Sequence, residues 1–274
     1  MNRLPLMKKL ITLLVIIGFC LNVSGVDGAF GNSRGNTFIG GIFSPSGNLY
    51  VSKTSTGVYY QNIEDFLRSD NAIGGTWGWN AENTAGGSQL LNGANGVPAG
   101  FLGYVALKLD GTAAARSHMF VGNSRSSTLG AIKLGSYAFY YETRIALSTI
   151  ALTNTSWYHG LTDTRTELLA ANAVHFKYNK AVSNNWLAET CSASSRTTNI
   201  TSIVVTENAW TVLSIYVDTA AANAYFYVDG VAAATNTANI PTLTMLIEQS
   251  GYSTTGDAVA GTNFVDYVWY ARAP

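Results

Sequence analysis

Apolar and polar residues alternate with a period of two over much of the chain beyond Thr76, and helical spacing is nearly absent there. In GYVALKLDG (103–111), Val105, Leu107 and Leu109 fall on one face and Tyr104, Ala106 and Lys108 on the other. WTVLSIYVD (210–218) sets Trp210, Val212, Ser214 and Tyr216 against Thr211, Leu213, Ile215 and Val217. YAFYYETRIAL (137–147), AVHFKYN (173–179), TSIVVT (201–206), AYFYVDG (224–230) and NFVDYVWYARA (263–273) are built from the β-branched and aromatic residues that strands favour. Gly-, Asn- and Asp-rich spacers separate them. Asp229-Gly230 predicts a tight two-residue turn, because glycine takes a positive φ without a steric cost. The pattern predicts an all-β chain folded as an antiparallel β-sandwich or jelly roll, with no βαβ rhythm, heptad or repeat.

Ahead of these strands the pattern changes. Residues 29–57 are rich in Gly, Ser and Asn, with two apolar patches, TFIGGIF and NLYVS, around the turn candidate SPSGN. This predicts a hairpin or an extended N-terminal arm over 26–61 that orders against a partner. QNIEDFLRSD (61–70) reads as a short helix, with Asn62 as its cap and Ile63, Phe66 and Leu67 on one face. The sandwich is then expected to span 62–274.

The first 25 residues form a targeting pattern. MKKLITLLVIIGFCLNVSG (7–25) has a basic start, an apolar run from Leu10 to Leu21 and small residues after it. That is a signal peptide with cleavage near Gly25 or Gly28, or an uncleaved hydrophobic anchor. Phe19 before Cys20 does not fit a lipidation site. Without residues 1–25, Cys191 stands alone and no intrachain disulfide can form.

Composition narrows the partners. The 274 residues carry 16 basic and 16 acidic side chains, only 12% of the chain, and no Lys/Arg cluster, which argues against nucleic acid. Taking away residues 1–25 removes Arg3, Lys8 and Lys9 and no acid, leaving 13 basic against 16 acidic groups, a balance of −3. A membrane would be met only through the N-terminal segment, if it is uncleaved.

The order YYETRIAL, GLTDTRTE, AVHFKYNKAVSNNWLAET, NAWTVLSIYVD, AYFYVDGVAAATNTANIPT, FVDYVWYAR resembles a concanavalin A-like lectin/glucanase domain. It is similar to versions found in bacteriophage structural proteins, where a DFL stretch such as Asp65-Phe66-Leu67 opens the domain. The resemblance runs over roughly 62 to 274 and is specific for fold more than function. It implies a virion structural or host-adhesion protein working beside other virion or surface subunits, as a homo-oligomer, in a virion or outside the cell. The alternative is a secreted bacterial carbohydrate-binding protein or a degenerate β-glucanase relative.

Glucanases of this kind cleave with carboxylates spaced E-x-D-x-x-E on one strand. Here AVHFKY has no acid, Glu189 and Glu207 sit singly, and Asp163 and Glu167 lie in LTDTRTE at loop spacing. Glu142 is expected to face solvent or to pair with Arg144 or Arg165. His118, His159 and His175 show no metal-binding spacing, and no phosphate loop or nucleophile elbow is present. No enzyme activity, metal or cofactor is expected. For glycan contact the candidates are Trp157, Tyr158, His159 and Asp163, around a turn at Gly160, together with Trp186 beside Asn184 and Asn185. Trp186 also matches a position that looks like core in the family.

Overall fold

The computed structural model of the protein describes residues 60–64, 79–84, 86–91, 104–121, 132–163 and 170–273. The expected leader, and the arm up to residue 59, lie outside them. Sixteen strands run through the described residues. They are β1 (Tyr60–Glu64), β2 (Trp79–Thr84), β3 (Gly87–Leu91), β4 (Val105–Leu109), β5 (Arg116–Val121), β6 (Ile132–Lys133), β7 (Ala138–Leu147) and β8 (Thr155–Thr162). The second half holds β9 (Ala173–Asn179), β10 (Asn185–Ser192), β11 (Ser195–Val204), β12 (Thr211–Val217), β13 (Ala224–Val228), β14 (Val231–Asn236), β15 (Thr244–Ser253) and β16 (Gly261–Ala273).

They form two antiparallel sheets. One has the order β14-β13-β12-β7-β16-β4-β3, with β1 pairing the far half of β16. The other runs β11-β10-β9-β8-β15-β5-β2, with β6 on the end of β15. Alternation explains the packing, since every second side chain of each strand points between the sheets. Val105, Leu107, Phe139, Tyr141, Leu213, Ile215 and Phe226 from the first sheet meet Met119, Trp157, Phe176, Tyr178, Trp186 and Ile247 from the second in one core. Phe176 and Phe226 join the layers edge to face, with centroids 5.1 Å apart.

The expected β13–β14 turn forms as the sequence predicts. Val228 pairs Val231, and Asp229 and Gly230 between them hold φ of 50° and 76°. Two local expectations are corrected among the described residues. Of the helix expected over 61–70, residues 61–64 are not helical, and 65–70 lie outside the described residues. Residues 60–64 extend as β1 beside Val268–Arg272 of β16, where ladder hydrogen bonds replace those of a segment too short to sustain a helix alone. Gly160 is not a turn either. It lies inside β8, paired with His175 on one side and Glu248 on the other.

Candidate functional site

The outer face of the second sheet is built from the residues that alternation turns away from the core. On β9, Val174, Phe176 and Tyr178 point inward, so His175 and Lys177 point out. On β10, Trp186 and Ala188 point inward and Glu189 points out. The register sets Glu248, Gly160, His175, Glu189 and Thr198 in one row across β15, β8, β9, β10 and β11. The adjoining row is His118, Ser250, Tyr158 and Lys177.

Glu248 and His175 stand two strands apart, roughly 9.6 Å of backbone separation. They nevertheless bond, with His175 Nδ1 2.9 Å from Glu248 Oε1. Gly160 allows this. It sits between them without a side chain, at φ +148°, and a Cβ there would lie 2.5 Å from the Val174 carbonyl oxygen and 2.8 Å from His175 Cα. The other ring nitrogen, Nε2, is 3.2 Å from Glu189 Oε2. Arg196 donates to the same Glu189 oxygen at 2.6 Å, Thr198 Oγ1 donates to Oε1 at 3.1 Å, and Lys177 Nζ is 3.7 Å away. At the far end Ser250 Oγ donates to Glu248 Oε2 at 3.2 Å, and His118 Nε2 stands 3.9 Å from it. The Tyr158 ring lies 5.1 Å from that of His175 and under Lys177 Nζ, 5.6 Å from the centroid. His118, His175, Glu248 and Glu189 are buried, while the side chains of Lys177 and Arg196 keep 19% and 31% of their surface exposed and form the rim.

The geometry fixes a proton. Both nitrogens of His175 face carboxylate oxygens at bonding distance, and a neutral imidazole has only one N–H to donate. Burial by itself lowers the His175 pKa, but the bonds to Glu189 and Glu248 and their charges outweigh it and raise it. Burial would raise Glu189, yet His175, Lys177 and Arg196 together hold it well below the carboxylate range. The proton therefore rests on the imidazole. Charges alternate along the row: carboxylate, imidazolium, carboxylate, guanidinium. Such a row can donate or accept a proton at a fixed atom and offers anionic acceptors beside cationic donors. Among the described residues no three His, Cys, Asp or Glu groups are arranged to hold a metal ion.

His159 belongs to the other side of the sheet. Its Nδ1 lies 2.6 Å from Gln249 Oε1, whose amide nitrogen donates to the Tyr141 hydroxyl. A side-chain carbonyl only accepts, so Nδ1 carries the hydrogen. Burial depresses this imidazole to about 4, and it is neutral.

The residues singled out in the sequence for glycan contact do not share one surface. Trp157 and Trp186 are each 1% exposed and face the interior. Trp157 fits over Gly251, where a Cβ would come within 2.1 Å of its ring, and Trp186 packs edge-on to Phe176, Tyr178 and His159. Asp163, just past the end of β8, accepts from Asn172 Nδ2 at 2.6 Å. Tyr158 alone of the five touches the His175 row. Glu142 is buried on the outer face of the first sheet rather than solvent-facing, accepting from Tyr267 at 2.8 Å and Ser214 at 3.2 Å. Arg144 pairs with Asp266 at 3.2 Å, and Arg165 lies outside the described residues.

No family model matches the chain, and no curated protein matches it by sequence. Solved structures do. A protein of unknown function from Shewanella oneidensis MR-1 superposes with a TM-score of 0.59 at 14% identity, over 85% of this chain and 95% of that one. The carbohydrate recognition domain of Emp47p gives 0.53 at 7% identity, over 78% and 96%. An endo-β-1,3-glucanase from Pyrococcus furiosus gives 0.54 at 10%, over 80% and 96%. The fold is the concanavalin A-like lectin and glucanase sandwich. These likenesses correct the expectation of a protein without enzyme activity, since the same sandwich serves an endo-glucanase as well as a carbohydrate recognition domain. That expectation rested on a missing acid pair within one strand, and this sheet brings Glu189 and Glu248 to one histidine from two separate strands.

Proposed function

We propose that this chain recognises a polysaccharide on the outer face of its second sheet, over the row centred on His175. One observation carries the reading: a carboxylate–imidazolium–carboxylate row is assembled from three strands with a glycine left between two of its members. Stability does not call for it, because buried ion pairs seldom outdo apolar packing of the same volume. Sugar hydroxyls would meet the exposed ends of Lys177 and Arg196, which the buried carboxylates hold in place from below, with the buried Tyr158 ring packed under Lys177. Lys177 and Arg196 at the rim are where a chain of sugars would meet the row.

The His175 ring fills the space between the two carboxylates, where the acid pair of a glycosidase holds its sugar or water. Binding is therefore the reading favoured, and the shared proton is what any chemistry on the bound chain would draw on. A virion or host-adhesion setting rests on the sequence resemblance alone and would turn this same face toward a host glycan. A secreted carbohydrate-binding protein would use it in the same way.

Affinity electrophoresis against β-1,3-glucan, mixed-linkage β-glucan, mannan and polyuronates tests the reading. Retention by at least one is expected, weakened by about tenfold in Lys177→Ala, equal to about 1.4 kcal/mol. Reducing ends and unsaturated products measured in the same incubations report cleavage. The proposal fails if no glycan retains the protein, or if both Lys177→Ala and Arg196→Ala leave retention unchanged.

A further inference from the structure

The charges of the His175 row do not cancel, and the part of it that solvent reaches is positive. Five side chains are joined: Glu248 to His175 at 2.9 Å, His175 to Glu189 at 3.2 Å, Arg196 to Glu189 at 2.6 Å and Lys177 to Glu189 at 3.7 Å. With the proton on the imidazole, His175, Lys177 and Arg196 stand against Glu189 and Glu248, three positive charges against two negative, a balance of +1. Both acids are buried, so a ligand arriving from outside meets the two cations. The other acids on this side are occupied or remote. Glu82 pairs with Arg116 at 3.1 Å. Asp163 is held by Asn172 past the end of β8, three strands from Arg196, about 14 Å of backbone separation. That exceeds the screening length of about 8 Å in physiological salt.

The donors of the two cations are largely unspent. A guanidinium carries five N–H groups and an ammonium three. Arg196 gives one hydrogen bond to Glu189. Lys177 Nζ stands over the Tyr158 ring, and its 3.7 Å to Glu189 is beyond hydrogen-bond reach. Glu189 thus holds both cations side by side and leaves their outer donors to a ligand. A neutral hydroxyl would leave the surplus charge unmatched, whereas a carboxylate supplies the next member of the alternating row and fits the planar fork of Arg196. We infer, resting on the reading of this face as a polysaccharide site, that the bound chain is a polyuronate with one carboxylate lodged between Lys177 and Arg196.

Affinity electrophoresis in gels of polygalacturonate, alginate and glucuronan, each as free acid and as methyl ester, tests this, because within each pair only the charge differs. At least one free acid should retain the protein about tenfold more strongly than its ester, and a rise from about 0.01 M to about 1 M salt should remove the difference. Lys177→Met keeps an apolar stem over Tyr158 without the charge, and should cut the acid-to-ester ratio to about threefold or less. If that variant fails to fold by circular dichroism, the acid and ester comparison on the unsubstituted protein decides alone. Equal retention by acid and ester, retention by a neutral β-glucan alone, or a folded Lys177→Met with the full ratio overturns the inference and leaves the polysaccharide reading standing. Stronger retention by dextran sulfate than by every polyuronate gives the cations to a sulfate and overturns it too. No retention by any charged or neutral glycan overturns both.

Discussion

Gly160 has no side chain, and the row beside it depends on that. A methyl group at this position would press on the β9 backbone and stand between Glu248 and His175. Gly160→Ala is expected to destabilise the protein by about 2–4 kcal/mol, combining overpacking with backbone strain. Urea unfolding measures it, and a change below about 0.5 kcal/mol would show that the two strands part without penalty. In the sequence this glycine reads as a turn, because a lone glycine among Tyr, His and Thr looks like punctuation. Its meaning comes from its neighbours in register, Glu248 and His175, which are remote from it along the chain.

The strands that were legible are those whose outer positions follow the ordinary alternation. β4, β7, β9, β12, β13 and β16 stand where the pattern puts them, and TSIVVT covers the end of the longer β11. β5, β8, β10 and β15 were not among the predicted strands, and they carry His118, Gly160, Glu189 and Glu248. Both faces of β15 are buried while Glu248, Gln249 and Ser250 interrupt its apolar run. The polar groups that make the site thus hide the strands that hold it. β8 and β10 also supply Trp157 and Trp186, which look like binding platforms in the sequence and are core in the fold. Trp186→Ala should lower stability by about 3–5 kcal/mol. Under conditions where the variant remains folded, its retention by a glycan gel should equal that of the unsubstituted protein. A loss of retention with stability unchanged would instead put the indole at the ligand.

Stability of the whole molecule should fall on both sides of neutrality, for opposite reasons. His159 is depressed from 6.5 to about 4 in the fold, so between these values the unfolded chain binds more protons, and stability is lost as pH falls. Glu189, held below its ordinary value, adds to the same acid limb, because its contribution is present above 4.5 and is lost as pH falls through the folded value. His175 is raised, so its contribution is complete below 6.5 and is lost as pH climbs through the folded value. Unfolding midpoints against pH should therefore show a maximum. His159→Gln is expected to flatten the limb between 6.5 and 4, and His175→Gln to lower the maximum and flatten the alkaline limb. A His175→Gln profile parallel to the original would mean that the imidazole holds no extra proton.

The strand order has a consequence for how the molecule is made. β16, the last of the described strands to be synthesised, does not lie at an edge. It runs through the first sheet, between β7 on one side and β4 and β1 on the other, and supplies Val265, Val268 and Tyr270 to the core. A nascent chain therefore holds its early strands without their neighbour until this segment leaves the ribosome. During that interval the core faces of β4 and β7 that β16 covers stay open to solvent, the condition under which unfinished chains are most prone to aggregate.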